Sequence, residues 1–431
     1  HSSLKSRLCS SSVRCSGSSL TADKKSQEEG VMVEKSAPPR QRVEIVDQLR
    51  LLAAVSVVAF HYLYNGIKNG KVGSIDHEPI AAVAQYGYLG VNFFFMISGY
   101  VIFASARGKS ARQFAVGRAL RLYPAFWVAL IVTTAFSLFL GGDQMSVTFP
   151  QFLANLTIVP KLLDQPLVDG VYWTLLYEVQ FYFLVFLLIL FGQGKRLEVL
   201  MPAWAILMFY LTMAAPELTS SAPYLGGYFI WFAAGAIIAS IVESGWSTYK
   251  VVGLLAAYLP ISHFELTLLT GLKTLIFVVL LVTLSPRVRS LRLPGSKTAG
   301  ALTYPLYLLH AHIGYMLLDR FATEGNKWIA YPVILAFVVA LAFTLHRLVE
   351  QNQASRRLWS WLFSNALGSV VDVLQRIVDL MLPAGAKTES GAIPGSSLAD
   401  STTSIMPAEP SNVSAEGRSS LSPELVKSPE S

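Results

Sequence analysis

The stretch I-V-D-Q-L-R-L-L-A-A-V-S-V-V-A-F-H-Y-L-Y, residues 45–64, is almost continuously apolar, with Asp47 and Arg50 near its start and His61 near its end. A run of this length crosses a bilayer as a helix, because a helix bonds its own backbone and lipid offers no substitute partner. Its two ends then lie on opposite sides. At a rise of about 1.5 Å per residue, His61 stands roughly 20 Å along the axis from Asp47. One helix thus carries opposite charges at one surface and an imidazole toward the other, and the chain is expected to build a site between those levels.

The rest of the chain agrees with a polytopic membrane protein. Of its 431 residues, 53% are hydrophobic and only 14% charged, and the mean hydropathy is +0.48, far from the balance of soluble domains. The net charge of +7 does not imply a nucleic-acid partner, because the basic residues cluster in short segments between apolar runs, as membrane topology requires. Cys9 and Cys15, the two cysteines, sit in a Ser-rich arm without partners at metal-ligand spacing, so neither a disulfide framework nor a metal site is expected.

Residues 1–42 are polar and rich in Ser, and a disordered arm is expected there. After the first run, apolar segments recur near 86–105, 124–140, 172–191, 197–214, 222–242, 251–264, 266–284, 299–319 and 328–349, which gives about ten spans. Arg107, Lys109, Arg112, Arg118 and Arg121 after the second run, Lys195 and Arg196 after the fourth, Arg287, Arg289, Arg292 and Lys297 after the eighth, and Arg347, Arg356 and Arg357 after the tenth all fall on one side. The positive-inside rule makes that side and both termini cytoplasmic. Residues 43–350 form the membrane domain; 351–383 are expected to hold an amphipathic helix lying on the membrane surface; 384–431, rich in Ser, Pro and acidic residues, are expected to be disordered. The expected fold is an all-α membrane bundle.

Polar residues inside spans are costly and mark either function or helix packing. Counted from the outer end of the fourth run, Glu178 falls at a depth similar to His61. The pair is either a structural hydrogen bond between helices or a general base with its orienting carboxylate. On the cytoplasmic side F-A-V-G-R-A-L-R-L-Y-P, residues 114–124, puts Arg118 and Arg121 on one helical face. Paired guanidinium forks suit phosphate, although positive-inside charge alone accounts for them. Asp47 and Arg50 lie at that level, either bonded to each other or facing an anion. Gly87, Gly90, Ser98 and Gly99 in the second run let a helix or a thin ligand approach closely. Tyr304, Tyr307 and His310 recur on one face of the ninth run, with His312 nearby, and line a polar cavity or bond neighbouring helices.

Together these segments resemble the acyltransferase 3 family of integral-membrane acyltransferases. Five pieces match in order: residues 47–61, G-V-N-F-F-F-M-I-S-G-Y at 90–100, residues 114–124, W-T-L-L-Y-E-V-Q-F-Y at 173–182, and Y-P-L-Y-L-L-H at 304–310. The resemblance implies ten spans in the inner membrane of a bacterium, an acyl-CoA donor entering from the cytoplasm, acetyl-CoA by default, and an extracytoplasmic carbohydrate or lipid-linked sugar as acceptor. It implies that His61 is catalytic, with Glu178 as the acidic residue of the fourth segment, and that Arg118 and Arg121 hold the donor's phosphates. The donor's arm is expected to thread past Asp47, Arg50, Ser98, Gly99, Tyr304, Tyr307 and His310. Related chains close the last span with Glu, a basic residue and Pro, whereas Glu350 here precedes Gln351 and Asn352. The competing class is a transporter or flippase that couples intramembrane His and Glu to protons.

Overall fold

The computed structural model describes residues 43–262 and 267–381; the arm at 1–42, with both cysteines, and the tail at 384–431 lie outside the described residues. Among these, every regular element is helical. The long helices are α1 (Glu44–Phe60), α2 (Leu89–Ala106), α3 (Ala111–Leu140), α4 (Trp173–Leu190), α5 (Leu197–Ala214), α6 (Phe229–Ser244), α7 (Thr248–Ser262), α8 (Leu268–Val282), α9 (Ser296–Leu309), α10 (Ala311–Phe321), α11 (Lys327–Leu345) and α12 (Gln353–Met381). α3 opens with a capping box in which the Ser110 hydroxyl accepts from the Gln113 amide and the Gln113 side chain accepts from the Ser110 amide, satisfying two of the donors a helix start leaves open.

Among the described residues, six helical stretches are long and apolar enough to cross a membrane: Glu44–Lys68, Ala81–Ala106, Ala111–Leu140, Gly170–Leu190, Gln193–Ala214 and Lys327–Gln351. α6 and α8 are apolar but shorter. Leu138, Phe139, Ile329 and Val333 face outward with most of their surface uncovered, a cost in water that lipid removes. α6 is the opposite case: residues from Phe232 to Ile238 are wholly enclosed, as expected for a helix apolar all round and placed at the centre of a bundle. It packs on α2 with almost no gap. A Cβ on Gly99 would come within 2.0 Å of the Phe232 carbonyl oxygen, and one on Gly235 within 1.8 Å of that of Met96.

Two departures from the expected spans matter for the site. The ninth run is not one helix but α9 and α10, broken at His310. The His310 Nδ1–H donates to the Tyr307 carbonyl at 2.8 Å, competing for the acceptor that the Ala311 amide would use. A side chain inserted into the ladder in this way bends a helix. In addition, α1 ends in a π-turn, His61–Asn65, and α11 in another, His346–Gln351. Such turns are rare and concentrate at functional positions.

Candidate active site

The first level of the site is built around the π-turn that ends α1. His61 Nδ1 is hydrogen-bonded to the Tyr315 hydroxyl of α10, and Asn65, one turn further along, donates to the same oxygen at 2.9 Å. In the tautomer that leaves a lone pair on His61 Nε2, Nδ1–H donates to the phenolic oxygen, which has the acceptor capacity for both bonds. The ring of His310 stands edge-on to that of His61, 5.0 Å between centroids. Because its Nδ1 donates to a carbonyl, neutral His310 holds a lone pair on Nε2, and that atom is buried without a partner among the described residues. In that tautomer of His61, the two neighbouring rings each present an Nε2 lone pair.

The connections at this end of the bundle support this level. The Asp169 carboxylate, 0% exposed, accepts from the amides of Val171 at 3.1 Å and His312 at 3.0 Å, and so ties the entrance of α4 to the start of α10. Lys71 Nζ meets His312 Nε2 at 2.6 Å and lies over the Tyr315 ring. Burial holds its ammonium below the ordinary lysine value, with Asp169 opposing.

The second level is an open cleft of about 1940 Å³ whose lining includes Asp47, Arg50, Arg118, Arg121, Arg289, His346, Glu350, Arg356 and Arg357. Arg121 is ion-paired with Glu350 at 3.1 Å, and Glu350 also accepts from His346 at 2.5 Å. Arg118 stacks on Phe114 and Tyr182, and Arg121 lies over Tyr304. The Nε of Arg289 is buried without a partner among the described residues. A surplus of guanidinium groups over carboxylates, partly removed from water, is an anion site. Pro124 and Pro305 cannot bond the carbonyls of Leu120 and Ala301 four residues earlier, and both of those residues line the cleft.

Between the levels, Glu178 accepts from the Tyr182 hydroxyl at 2.5 Å and from Ser98 at 3.4 Å. It is among the charges acting on Arg50. The expected meeting of Glu178 with His61 is therefore not formed: Glu178 turns toward the arginine end, and His61 is held by a phenol. The depth estimate failed because it ignored which way each side chain leaves its helix. Tyr304 donates to the Leu122 carbonyl at 2.9 Å and Tyr307 pairs with Thr174 at 2.9 Å, so both hydroxyls already hold helices together. Gly99, expected beside the donor's arm, is instead sealed against Phe232, which leaves no room for a ligand.

Sequence reasoning missed Tyr315, Asn65, Asp169 and His346. Asn65 had a weak signal, its spacing of four from His61; Asp169, in a connection between runs, and Tyr315 and His346 had no signal short of the fold.

Comparison with known proteins identifies the family. A family model described as an acyltransferase domain, Acyl_transf_3, matches residues 43–347. The chain is similar to the exopolysaccharide production protein ExoZ of Rhizobium meliloti (strain 1021), 28% identical over 245 residues, 52% of this chain and 75% of that protein. It is 27% identical over 352 residues to nodulation protein 10 of Rhizobium leguminosarum bv. viciae, 69% of this chain and 90% of that one. It is 27% identical over 185 residues to the peptidoglycan O-acetyltransferase OatA of Listeria monocytogenes serovar 1/2a, 38% of this chain and 27% of that one. No solved structure matches. The chain belongs to the acyltransferase 3 family of membrane proteins and is an acyltransferase.

Proposed function

We propose that this protein moves an acyl group, acetyl by default, from cytoplasmic acyl-CoA to a hydroxyl of an extracytoplasmic carbohydrate such as an exopolysaccharide or a lipid-linked sugar, in a bacterial inner membrane that the chain crosses about ten times. The observation that carries this reading is the pairing of an arginine-lined cleft with His61 on one helix. α1 enters the cleft with Asp47 and Arg50, and His61 lies roughly 16 Å further along its axis. The names of the relatives, an exopolysaccharide production protein and a peptidoglycan O-acetyltransferase, support a carbohydrate acceptor.

In this reading the arginines hold the donor's phosphates and the pantetheine arm runs past Tyr304 and the Glu178–Tyr182–Ser98 group toward His61. His61 Nε2 takes the proton of the acceptor hydroxyl as its oxygen attacks the thioester carbonyl. The carbon–sulfur bond breaks, and the leaving thiolate recovers the proton from the imidazolium. In a two-step route, His61 Nε2 attacks the thioester carbonyl and expels the thiolate; the acceptor hydroxyl then attacks the acyl-imidazolium, its proton passing to the thiolate as the carbon–nitrogen bond breaks and the imidazole is freed.

The test is transfer of label from radioactive acetyl-CoA to cell-envelope glycan in membranes carrying wild type, His61→Ala or no protein. Label that requires His61 supports the reading. Equal labelling by a normally inserted His61→Ala protein removes His61 from the chemistry, and absence of label with wild type removes acetyl-CoA as donor.

A further inference from the structure

The described chain continues past residue 347, where the family match ends, into α12. The first three turns of this helix supply Arg356, Arg357, Trp359, Ser360 and Trp361 to the cleft. We propose that α12 is the nucleotide-recognition wall of the donor site, with Arg356 and Arg357 taking the 3′-phosphate of acyl-CoA and the indole of Trp361 stacking on its adenine. The inference rests on the donor reading above.

Three observations carry it. First, the helix is fixed across from the arginines of α3 and cannot drift. Arg112 of α3 forms an ion pair with Asp372 and donates to the Ser364 carbonyl at 2.9 Å. Trp127 of α3 stacks on Phe363 and meets Trp359 at 5.5 Å between ring centroids. Gly368 lies against the Arg112 guanidinium so closely that a Cβ would stand 2.9 Å from it. The Asn352 side chain accepts from the amides of Ala354 and Ser355, which satisfies the start of the helix and leaves its arginines for a ligand.

Second, among the described residues no carboxylate pairs with Arg356 or Arg357, whereas Arg121 deeper in the cleft is committed to Glu350. Both residues are exposed, whereas Tyr100 and Ala125, which also line the cleft, are buried. A donor whose thioester points inward therefore leaves its 3′-phosphoadenosine end at the mouth, beside α12. The 3′-phosphomonoester carries about −1.5 to −2 charges at neutral pH and suits a pair of guanidinium forks. Third, Trp361 lies four residues after Arg357, on the same helical face, and is 64% exposed. An uncovered indole next to an unpaired guanidinium matches a nucleotide, whose phosphate and base are adjacent.

The experiment compares acetyl-CoA with acetyl-dephospho-CoA, which lacks only the 3′-phosphate, in the full-length purified enzyme. Wild type should favour acetyl-CoA in kcat/KM by about tenfold or more, about 1.4 kcal/mol. The R356Q/R357Q protein should lose that preference through KM, and Trp361→Ala should raise KM for both donors alike. The ratio of donors within one protein is unaffected by a general loss of folded enzyme, so a preference kept in R356Q/R357Q overturns the proposal. Equal use of both donors by wild type also overturns it while leaving acyl-CoA as donor, and failure of wild type with either donor overturns both readings. If Trp361 only anchors α12 in the membrane surface, Trp361→Ala leaves KM unchanged and weakens membrane attachment, and the adenine contact falls.

Discussion

Replacing Tyr315 by Phe removes one oxygen and, in this structure, two hydrogen bonds at once. The hydroxyl is the partner of His61 Nδ1 and the acceptor for Asn65 at 2.9 Å, while the ring itself stays in a slot that Gly66 keeps open, since a Cβ there would lie 2.6 Å from it. The variant should therefore fold. An unmade buried hydrogen bond costs about 1–3 kcal/mol, here in the orientation of the imidazole proposed as the base. At about 1.36 kcal/mol per tenfold, kcat should fall about 5- to 150-fold. KM for the donor should hold, because Tyr315 is not part of the arginine cleft. Removing the base itself, in His61→Ala, should cost about 10²- to 10⁴-fold. Since Tyr315 acts through His61, the double variant should be no slower than His61→Ala, the non-additivity expected of residues working as a unit. The assay is steady-state acetyl transfer by matched amounts of purified protein. A Tyr315→Phe enzyme within about twofold of wild type in kcat, or losses that multiply in the double variant, would refute the assignment of Tyr315 as the residue that positions His61.

Gly99→Ala should lower the melting temperature in detergent, because its methyl meets the Phe232 carbonyl at 2.0 Å and overpacking costs about 1–3 kcal/mol; Gly271→Ala, with nothing within 4 Å, should be neutral or slightly stabilising. Asp169→Ala strands the buried amides of Val171 and His312 and should destabilise by about 1–3 kcal/mol for each, read as a melting shift larger than that of Gly99→Ala; an unchanged melting temperature removes its structural role. Glu324, in the loop before α11, has its carboxyl held below the ordinary value by Lys327 and the Asp76 amide. Its folded pKa being the lower one, the contribution is present above the unfolded value and lost as pH falls through the folded value, so Glu324→Gln should flatten the acid side of the stability profile, and an identical profile would exclude the contact.

The helical class was legible because periodicity and hydropathy act locally: each expected run carries helix in the structure. Span count was less so. The run at 299–319 looks continuous in composition, and only the bond from His310 to the Tyr307 carbonyl, a side-chain event, divides it. The arginine pair of the cleft was legible because Arg118 and Arg121 are three apart and their shared face needs no tertiary knowledge. Glu178 and His61 were not, because whether two helices' side chains meet depends on rotation about each axis. Composition does not encode that. Gly99 illustrates the same limit: a small residue admits either a ligand or a neighbouring backbone, and only the position of α6 decides for the backbone.

The two π-turns explain how distant groups become precise. Each opens with a histidine and links residues four apart to another helix: His61 and Asn65 both meet the Tyr315 oxygen, while His346 holds Glu350, which in turn pairs with Arg121, and Gln351 donates to His346 Nε2 at 3.0 Å. That last bond fixes the His346 tautomer, since an Nε2 that accepts leaves Nδ1 to donate to Glu350. Arg121 is thus aimed by the protein before any anion arrives, and the ordering cost of a long side chain is met in folding, not in binding. The same logic applies at His61, whose ring is confined by a phenol, by His310 and by Phe60 at 5.0 Å. A π-turn weakens the regular ladder locally and persists where surrounding contacts over-determine it. Here those contacts orient His61 at one end of α1 and Arg121 beside the other, the two groups proposed to serve as base and phosphate ligand, so the irregularities and the candidate site have a common physical origin.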